Sequence, residues 1–351
     1  MFVHKPMRFL ALLVLLLFVA AACGGTTGEG SAEVGDDATP AATEDGDGAL
    51  PVVKLHGLEG GLSSMALKII EEQGFDEQNG FQGEFFEVSG DASVQFLIQG
   101  NSDVSFDGDP ITAALLRSQG NDTTTFYPMA VQDVTLMVRG DSPYQSPEDL
   151  MGERVGHDGL ESGGMTAANI MLSEFDDIQI TEDYELQLVQ EPALIRLLDR
   201  GELEASFMAQ PFILTAMLES DMRPVWGPGW EEWEQAEGGR SWNITIMASE
   251  QWIRDNPDLA RGVTAAWDDV YNWITEDPER LKQEPFPELI GIDDPEVLDA
   301  FVELVETSEY FTNRWTPEDV EAARTFIELA AEEGTIIQEA PEGSVTSLDE
   351  L

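Results

Sequence analysis

Two glycine-rich turns of similar sequence carry side chains that bind metals and cations. His56-Gly-Leu-Glu59-Gly-Gly61 and His157-Asp-Gly-Leu-Glu161-Ser-Gly-Gly164 each follow a short β-type segment and precede a helical one. Histidine and glutamate are common zinc ligands, so these four side chains could form a metal site. Two histidines in separate turns lack the spacing of a helical zinc motif, and zinc binding is therefore the alternative rather than the first reading.

A second group of acids ends the segment SDVSFDGDP, where Asp107 and Asp109 stand. Neither these acids nor Glu59 and Glu161 have a lysine or arginine in the same turn. Carboxylates around a concave site attract a cation, or the cationic end of a zwitterion. The acids therefore make a plain inorganic anion such as nitrate a poor candidate ligand.

Three aromatic side chains suggest an organic ligand. Phe106, Trp230 and Trp242 present faces that can stack on a ring or hold an ammonium group. Together with the acids, they favour an organic ligand that bears an amine.

These residues lie in a chain that alternates β-type and helical patterns from residue 50 onward. Such alternation predicts βαβ units with ligand-binding loops at the carboxyl ends of the strands. The predicted strands are 51–57, 81–90, 102–110, 123–131, 133–141, 153–157, 184–190 and 203–211, with a further one beginning at 243. The predicted helices are 63–74, 92–100, 111–120, 163–172, 191–202, 211–218, 256–281, 293–308 and 316–334.

Capping patterns mark several helix starts. The pattern predicts Asp91 and Asp109 as N-caps, a capping box from Ser146 to Asp149, and a strong start at Thr316 with Pro317 and Asp319. The last twelve residues, APEGSVTSLDEL, are expected to fray.

Composition indicates a globular core with an acidic surface. The chain has 69 Asp and Glu against 17 Lys and Arg, a formal net charge of -52, yet 42% of its residues are hydrophobic. This charge repels nucleic acid and anionic lipid surfaces, so neither is expected as a partner. A dispersed acidic coat is typical of proteins that work in concentrated salt, where cations screen the self-repulsion.

The N-terminus has the layout of a secretory signal that ends at Cys23, the one cysteine of the sequence. Lys5 and Arg8 precede an apolar run of about 14 residues, which is too short to span a bilayer. Residues 1–22 resemble a bacterial lipoprotein signal, which implies lipidation of Cys23. Residues 23–49 contain no large apolar side chain apart from Val34, and we expect a disordered tether there.

The ordered set of segments resembles the substrate-binding proteins of ABC importers, in the family that includes alkanesulfonate, taurine, nitrate and thiamine-pyrimidine binding proteins. The phrases that carry the resemblance are FEVSGDASVQFLIQGNSDVSFDGDP, MVRGDSPYQSPEDLMGERVGHDG, VQEPALIRLLDRGELEASFMAQP and NPDLARGVTAAWDDVYNWITEDPE. The resemblance implies the two-lobe type II periplasmic-binding-protein fold, an α/β fold in which each lobe is a mixed sheet flanked by helices. It places lobe 1 at residues 50–138 and 243–351 and lobe 2 at 139–242, joined by a two-strand hinge.

The resemblance also implies a ligand between the first βα turns and helix N-termini of both lobes, where unpaired N–H groups suit an anionic end. The ligand-binding residues expected on this basis and from the acids and aromatics are His56, Glu59, Ser63, Ser64, Ser89, Gly90, Phe106, Asp107, Asp109, His157, Glu161, Ser162, Gly163, Thr166, Gln210, Trp230 and Trp242. With the acids and aromatics, the resemblance implies that this ligand is an aminosulfonate or a ring compound such as a pyrimidine vitamin precursor. The expected partners are the small ligand, the permease and ATPase subunits of an importer, and the outer face of the cell membrane through the lipid on Cys23. We expect a monomer without a cofactor.

An enzyme is the first rival interpretation, because some proteins of this family synthesise the thiamine pyrimidine with a cysteine-rich iron-binding segment. The chain beyond Cys23 has no cysteine, so that segment is missing. The sequence also lacks a nucleophile elbow, a phosphate loop and an HExxH helix. The other rivals are zinc import through His56 and His157, and a purely structural surface lipoprotein.

Overall fold

The computed structural model describes residues 49–160, 162–189, 191–334 and 337–351, apart from the side chains of Asp91, Glu191 and Pro192. The predicted signal (1–22), Cys23 and all but the last residue of the predicted tether (23–49) lie outside these residues. The strands are β1 Val52–Leu58, β2 Gln82–Val88, β3 Val104–Gly108, β4 Thr123–Val131, β5 Thr135–Arg139, β6 Arg154–His157, β7 Glu185–Leu188, β8 Ala205–Met208, β9 Met222–Trp226 and β10 Trp242–Ser249.

Helices follow most strands, as the alternating pattern predicts. They are α1 Leu62–Gln73, α2 Phe75–Gln78, α3 Gly90–Ile98, α4 Pro110–Ser118, α5 Gly163–Asp176, α6 Ile180–Asp183, α7 Glu191–Asp199, α8 Phe212–Glu219, α9 Trp230–Glu237, α10 Glu250–Asp255, α11 Pro257–Glu276, α12 Phe286–Leu289, α13 Pro295–Thr307 and α14 Pro317–Glu333. Two 3-10 helices span Pro147–Leu150 and Pro278–Lys282. Within the described residues, no helix combines the length and apolar character that crossing a membrane requires.

In the described part of the chain the strands form two five-stranded mixed sheets with the same arrangement. The first has the order β2-β1-β3-β10-β4 and the second the order β7-β6-β8-β5-β9. In each sheet the second strand pairs in parallel with both neighbours, and the fourth pairs antiparallel with both of its own. The predicted mixed α/β class is confirmed.

This shared arrangement makes β1 and β6 equivalent strands. His56 lies in β1 and His157 ends β6, and the turns that follow these strands are therefore equivalent in topology, each leading into the first long helix beside its sheet. The chain passes between the sheets after β4 and again between β9 and β10. The division into lobes at residues 138/139 and 242/243 stays a prediction.

Separate apolar clusters stabilise the two sheets. The larger cluster packs the first sheet against α1, α11, α13 and α14, and it includes Trp267 and Phe301, both fully buried. Helix α9 lies outside the predicted elements. Its Trp233 packs edge-to-face on Phe326 of α14 at 5.2 Å, so α9 adds to the core beside the first sheet. Two smaller clusters fill the second sheet around Leu136 and Leu194.

Two of the predicted caps are wrong. Helix α3 begins at Gly90 with Ser89 as its N-cap, so Asp91 lies inside the first helical turn. The Asp149 carboxylate accepts a hydrogen bond from the N–H of Gln145 at 2.8 Å rather than from Ser146, because the turn is a short 3-10 helix that does not reproduce capping-box geometry. The predicted box at Thr316 is present.

The expected fraying of the last residues is also wrong in part. The N–H of Thr125 donates to the carbonyl of Ser344 at 2.9 Å, and the N–H of Thr346 donates to the carbonyl of Thr125 at 2.9 Å. Ser344, Val345 and Thr346 are buried. Strand β4 is the edge of the first sheet, and this segment pairs with the free N–H and carbonyl of its Thr125.

Candidate functional site

A cavity of about 400 Å³ lies between the two sheets, at the ends of strands from both. The first sheet contributes the turn before α1, the start of α3 and the segment from Asp107 to Asp109. The second contributes Asp158, the start of α5 and residues 207–212. Thr112, Val134, Asn243, Ile244, Ile290 and Tyr310 complete the lining. The carboxyl ends of parallel strands and the helix N-termini that follow them are where α/β proteins bind ligands.

Three carboxylates line this cavity: Asp107, Asp109 and Asp158. Among the described lining residues none is lysine, arginine or histidine. Burial raises the pKa of Asp107 to about 7, the hydroxyl of Ser93 acts against this shift by donating a hydrogen bond at 3.0 Å, and the charge of Asp109 adds to it. The cavity therefore holds negative charge that a bound cation would stabilise.

Asp109 caps α4 and also contacts the opposite side of the cavity. Its Oδ1 accepts hydrogen bonds from the N–H groups of Ile111 at 2.8 Å and Thr112 at 2.9 Å. Its Oδ2 accepts the hydroxyl hydrogen of Thr112 at 2.5 Å. Burial nevertheless raises the pKa of this carboxyl, with the three hydrogen bonds opposing the shift. A methyl group placed on Gly163 of α5 would lie 2.6 Å from the Asp109 carboxyl carbon, so glycine permits the close approach of the two sides.

We expect Gly163→Ala to lower the free energy of unfolding by about 1–2 kcal/mol, because overpacking a fixed contact costs this much. The Asp109 carboxylate cannot move aside without losing its hydrogen bonds to α4. Gly159→Ala is the matched control, since a methyl group there would meet no atom within 4 Å. Urea unfolding at high salt measures both. Equal stability of the two variants would contradict the contact.

Six of the predicted ligand-binding residues line the cavity. They are Gly90, Asp107, Asp109, Ser162, Gly163 and Gln210. Ser162 caps α5, and its Oγ accepts the N–H of Met165 at 3.2 Å. Contact of these residues with a ligand stays a prediction.

The other predicted residues that the structure describes lie away from the cavity lining. Glu59 and Ser89 are exposed, Trp230 is half-buried beneath the guanidinium of Arg240, and Thr166 lines a separate small cavity beside α14. Those buried elsewhere are His56, Ser63, Ser64, Phe106, His157 and Trp242. Glu161 lies outside the described residues.

The two serines of α1 have a structural explanation for their position. The Oγ of Ser63 accepts the N–H of Leu58 at 2.8 Å, and the hydroxyl of Ser64 donates to the carbonyl of Leu58 at 2.6 Å. They fix the end of β1 against the helix and thereby shape the turn whose glycines line the cavity. A serine that binds ligand at the start of α1 would occupy the same place in the sequence. The sequence pattern therefore does not distinguish ligand binding from this structural role.

Sequence reasoning missed a buried carboxylate that joins three segments at the cavity. The Oδ2 of Asp133 accepts the N–H of Gln210 at 2.9 Å, and its Oδ1 accepts the side-chain amide of Asn243 at 2.9 Å. The hydroxyl of Tyr310 also hydrogen-bonds this carboxylate. A polar pair, Gln132-Asp133, directly after the long apolar strand β4 was the available signal. Asn243 and Tyr310 have no comparable signal, because they reach Asp133 only through the fold.

The described residues contain no group of three or more His, Cys, Asp or Glu side chains placed to hold a metal ion. Both ring nitrogens of His56 instead contact serine hydroxyls, Ser102 at 2.7 Å and Ser93 at 3.1 Å. The zinc alternative therefore gains no support from the arrangement of these side chains.

Residues 65–281 match the sequence pattern that defines the NMT1/THI5-like family. The chain belongs to the NMT1/THI5-like family. The matched region runs from α1 into the 3-10 helix after α11, so it includes all the strands of the second sheet and the cavity residues from Gly90 to Asn243. No curated protein sequence matches this chain.

Solved structures share the fold of this NMT1/THI5-like protein. The periplasmic aliphatic sulphonate binding protein SsuA from Escherichia coli is 15% identical, with 82% of this chain and 89% of that chain covered and a TM-score of 0.66. The alkanesulfonate-binding protein SsuA from Xanthomonas axonopodis pv. citri, bound to MOPS, is 14% identical, with coverages of 85% and 99% and a TM-score of 0.66.

A structure solved with zinc bound also shares the fold. The ligand-binding component of an ABC-type import system from Staphylococcus aureus is 10% identical, with coverages of 86% and 98% and a TM-score of 0.63. At these identities the similarity establishes the fold, which is the predicted periplasmic-binding-protein fold.

Proposed function

We propose that this chain is an extracytoplasmic solute-binding protein that captures a small organic ligand with a cationic amine between its two sheets. The observation that carries the proposal is the set of three carboxylates, Asp107, Asp109 and Asp158, in a cavity whose described lining contains no basic side chain. A buried ammonium group would pair with these carboxylates through charge-assisted hydrogen bonds. The raised pKa of Asp107 supports this, because an adjacent cation favours the ionised form that burial disfavours.

The opposite end of the ligand is proposed to lie at the helix N-termini. Gly61 and Leu62 at the start of α1, and Gly163 and Gly164 at the start of α5, line the same cavity. The first N–H groups of a helix have no partner within the helix and favour a negative group. A zwitterion such as an aminosulfonate matches both features, and an aminopyrimidine would use the carboxylates with a neutral ring.

Delivery to the permease and ATPase of an ABC importer completes the proposal. Its support is membership in the NMT1/THI5-like family and the shared fold with binding components of import systems. Lipidation of Cys23 would hold the protein at the outer face of the membrane, a proposal that rests on the sequence of residues 1–23. Closure of lobes 50–138 with 243–351 against 139–242 would present the loaded form to the permease. We propose binding and transport rather than catalysis.

The amine is tested by comparing taurine with ethanesulfonate, which has the same skeleton without the amine. We expect taurine to bind at least about tenfold more tightly, because one charge-assisted hydrogen bond contributes about 1.5–3 kcal/mol. Isothermal titration calorimetry at pH 8 in high salt measures both, with an aminopyrimidine and its amine-free analogue as the second pair.

The matched variants for this test are Asp107→Asn and Asp258→Asn. Asp107→Asn should remove most of the preference for the amine-bearing member of a pair. Asp258→Asn removes the same charge from a fully exposed position and should leave the preference unchanged. Equal binding of both members of each pair to the unmodified protein would contradict the proposal.

A further inference from the structure

A line of hydrogen bonds runs from the cavity wall into the interior of the first sheet. Oδ2 of Asp107 accepts from the hydroxyl of Ser93 at 3.0 Å. Oγ of Ser93 lies 3.1 Å from Nε2 of His56, and Nδ1 of His56 lies 2.7 Å from Oγ of Ser102. Ser93, His56 and Ser102 are 4%, 0% and 3% exposed. Of these four residues, Asp107 and Ser93 line the cavity, and the hydrogen bond of Ser93 connects His56 to it.

The imidazole of His56 is held in its neutral form. Burial lowers its pKa to about 4, and its ring packs edge-on against Phe96 at 5.5 Å. A neutral imidazole has one N–H donor and one acceptor nitrogen. Its two nitrogens must therefore play opposite roles toward Ser93 and Ser102.

The charge of Asp107 determines which nitrogen donates. An ionised Asp107 can only accept, so Ser93 donates to it, Ser93 accepts from Nε2–H, and Nδ1 accepts from Ser102. A protonated Asp107 can donate to Ser93, which then donates to Nε2, and Nδ1–H donates to Ser102. The two arrangements differ by one proton in total, and every hydrogen bond is kept with its direction reversed.

We propose that His56 is a positioning residue: as the Nε2–H tautomer it holds the Ser93 hydroxyl on ionised Asp107, and it changes to the Nδ1–H tautomer when Asp107 takes up a proton. The geometry of these three hydrogen bonds supports the inference. What the tautomer change means for ligand binding rests on the proposed function. An ammonium group bound at Asp107 would keep the carboxylate ionised and hold His56 in the Nε2–H form. His56, two hydrogen bonds from the cavity, would then respond to the ligand without touching it.

The titratable groups around Asp107 are few among the described residues. Asp109 lies on the same segment, and its charge raises the pKa of Asp107. Asp158 lines the cavity from the side of the second sheet. The described lining residues of α1 and α3 carry no charge. Asp107 is therefore the group expected to titrate near pH 7.

The test is nitrogen NMR of the ligand-free protein labelled with ¹⁵N-histidine, between pH 5 and pH 9. His157→Gln identifies the signals of His157, and His4→Gln identifies those of His4 where residues 1–22 are retained. We expect the Nε2–H tautomer of His56 at pH 9 and the Nδ1–H tautomer at pH 5, with a midpoint near the pKa of Asp107. One tautomer throughout this range would overturn the proposal.

Two variants separate coupling from packing. In Asp107→Asn the group at position 107 no longer titrates, and in Ser93→Ala the connection is broken, so the His56 tautomer should be independent of pH in both. A tautomer change that persists in either variant would also overturn the proposal. Because no ligand is used, failure of the taurine experiments would not change this result, and a constant tautomer would leave the proposed function standing.

Discussion

Replacement of Asp107 by asparagine is expected to stabilise the ligand-free protein at pH 8, although it should weaken ligand binding. Burial raises the pKa of this carboxyl from 3.8 to about 7. A difference of about 3 pKa units corresponds to about 4 kcal/mol, which is an upper value because the side chain keeps some contact with solvent. Asparagine retains an oxygen that can accept the Ser93 hydrogen bond and carries no charge to desolvate.

The expected stabilisation depends on pH in a defined direction. Below pH 3.8 the carboxyl is protonated in both the folded and the unfolded protein. There it adds nothing to the difference in the free energy of unfolding between Asp107→Asn and wild type. Between pH 3.8 and about 7 the unfolded chain releases a proton that the folded protein keeps, so the wild type loses stability as pH rises. Above about pH 7 the difference in the free energy of unfolding between Asp107→Asn and wild type is constant.

Urea unfolding of Asp107→Asn and wild type at pH 5, 6, 7 and 8, at constant high salt, measures this gap. The exposed replacement Asp258→Asn controls for the loss of one negative charge from a protein with a net charge of -52. A gap that is independent of pH, or equal in the two variants, would show that Asp107 is not desolvated. A stabilised but binding-deficient variant is the result expected when a charge is kept for function at the expense of stability.

Asp133→Ala is expected to lower the free energy of unfolding by about 3 kcal/mol at pH 5. The replacement removes the acceptor of the N–H of Gln210, the amide of Asn243 and the hydroxyl of Tyr310. A buried donor without a partner costs about 1–3 kcal/mol, and these three lie in different parts of the chain. The same variant should bind taurine more weakly, since all three residues line the cavity.

The loss of stability in Asp133→Ala should be smaller at pH 8 than at pH 5, by about 1–2 kcal/mol. Burial raises the pKa of Asp133 from 3.8 to about 6, with the hydrogen bonds from Gln210, Tyr310 and Asn243 opposing the shift. The folded wild type therefore loses stability as pH rises through this range, whereas the alanine variant has no carboxyl to titrate.

Asp133→Asn is the matched replacement, because it keeps the shape and one acceptor oxygen. It should lose less stability than the alanine variant and show the same absence of titration. Thermal and urea unfolding at both pH values measure the three proteins. An alanine variant within 0.5 kcal/mol of wild type at pH 5, as surface replacements commonly are, would contradict the role of Asp133 as a connection between segments.

Local sequence patterns predicted most of the elements that build the site. The helix before Gly74, the cap at Asp109 and the box at Thr316 depend on residues close together in the chain, and they form as expected. The docking of Val345 beside β4 was not predictable in the same way. It pairs residues more than 200 positions apart, and the polar segment carries no periodicity that marks such pairing.

The site was predictable where it follows strand ends and unpredictable where it depends on the direction of a side chain. Asp107 lies near the end of β3, Asp109 directly follows this strand, and both line the cavity. His56 belongs to β1, which is covered on both faces, so its burial pattern does not alternate and does not reveal which way the ring points. The ring points into the sheet interior, toward Ser93 and Ser102, rather than into the cavity.

The sequence by itself determined the α/β class, the equivalent turns after β1 and β6, and the excess of acid over base that favours a cationic ligand. These follow from periodicity, spacing and composition, which are local or additive properties of the chain. The tertiary structure decided which polar residues meet. Asp133, Gln210, Asn243 and Tyr310 come from four distant segments, and their contact exists because the chain passes twice between the two sheets and buries one carboxylate where it does so.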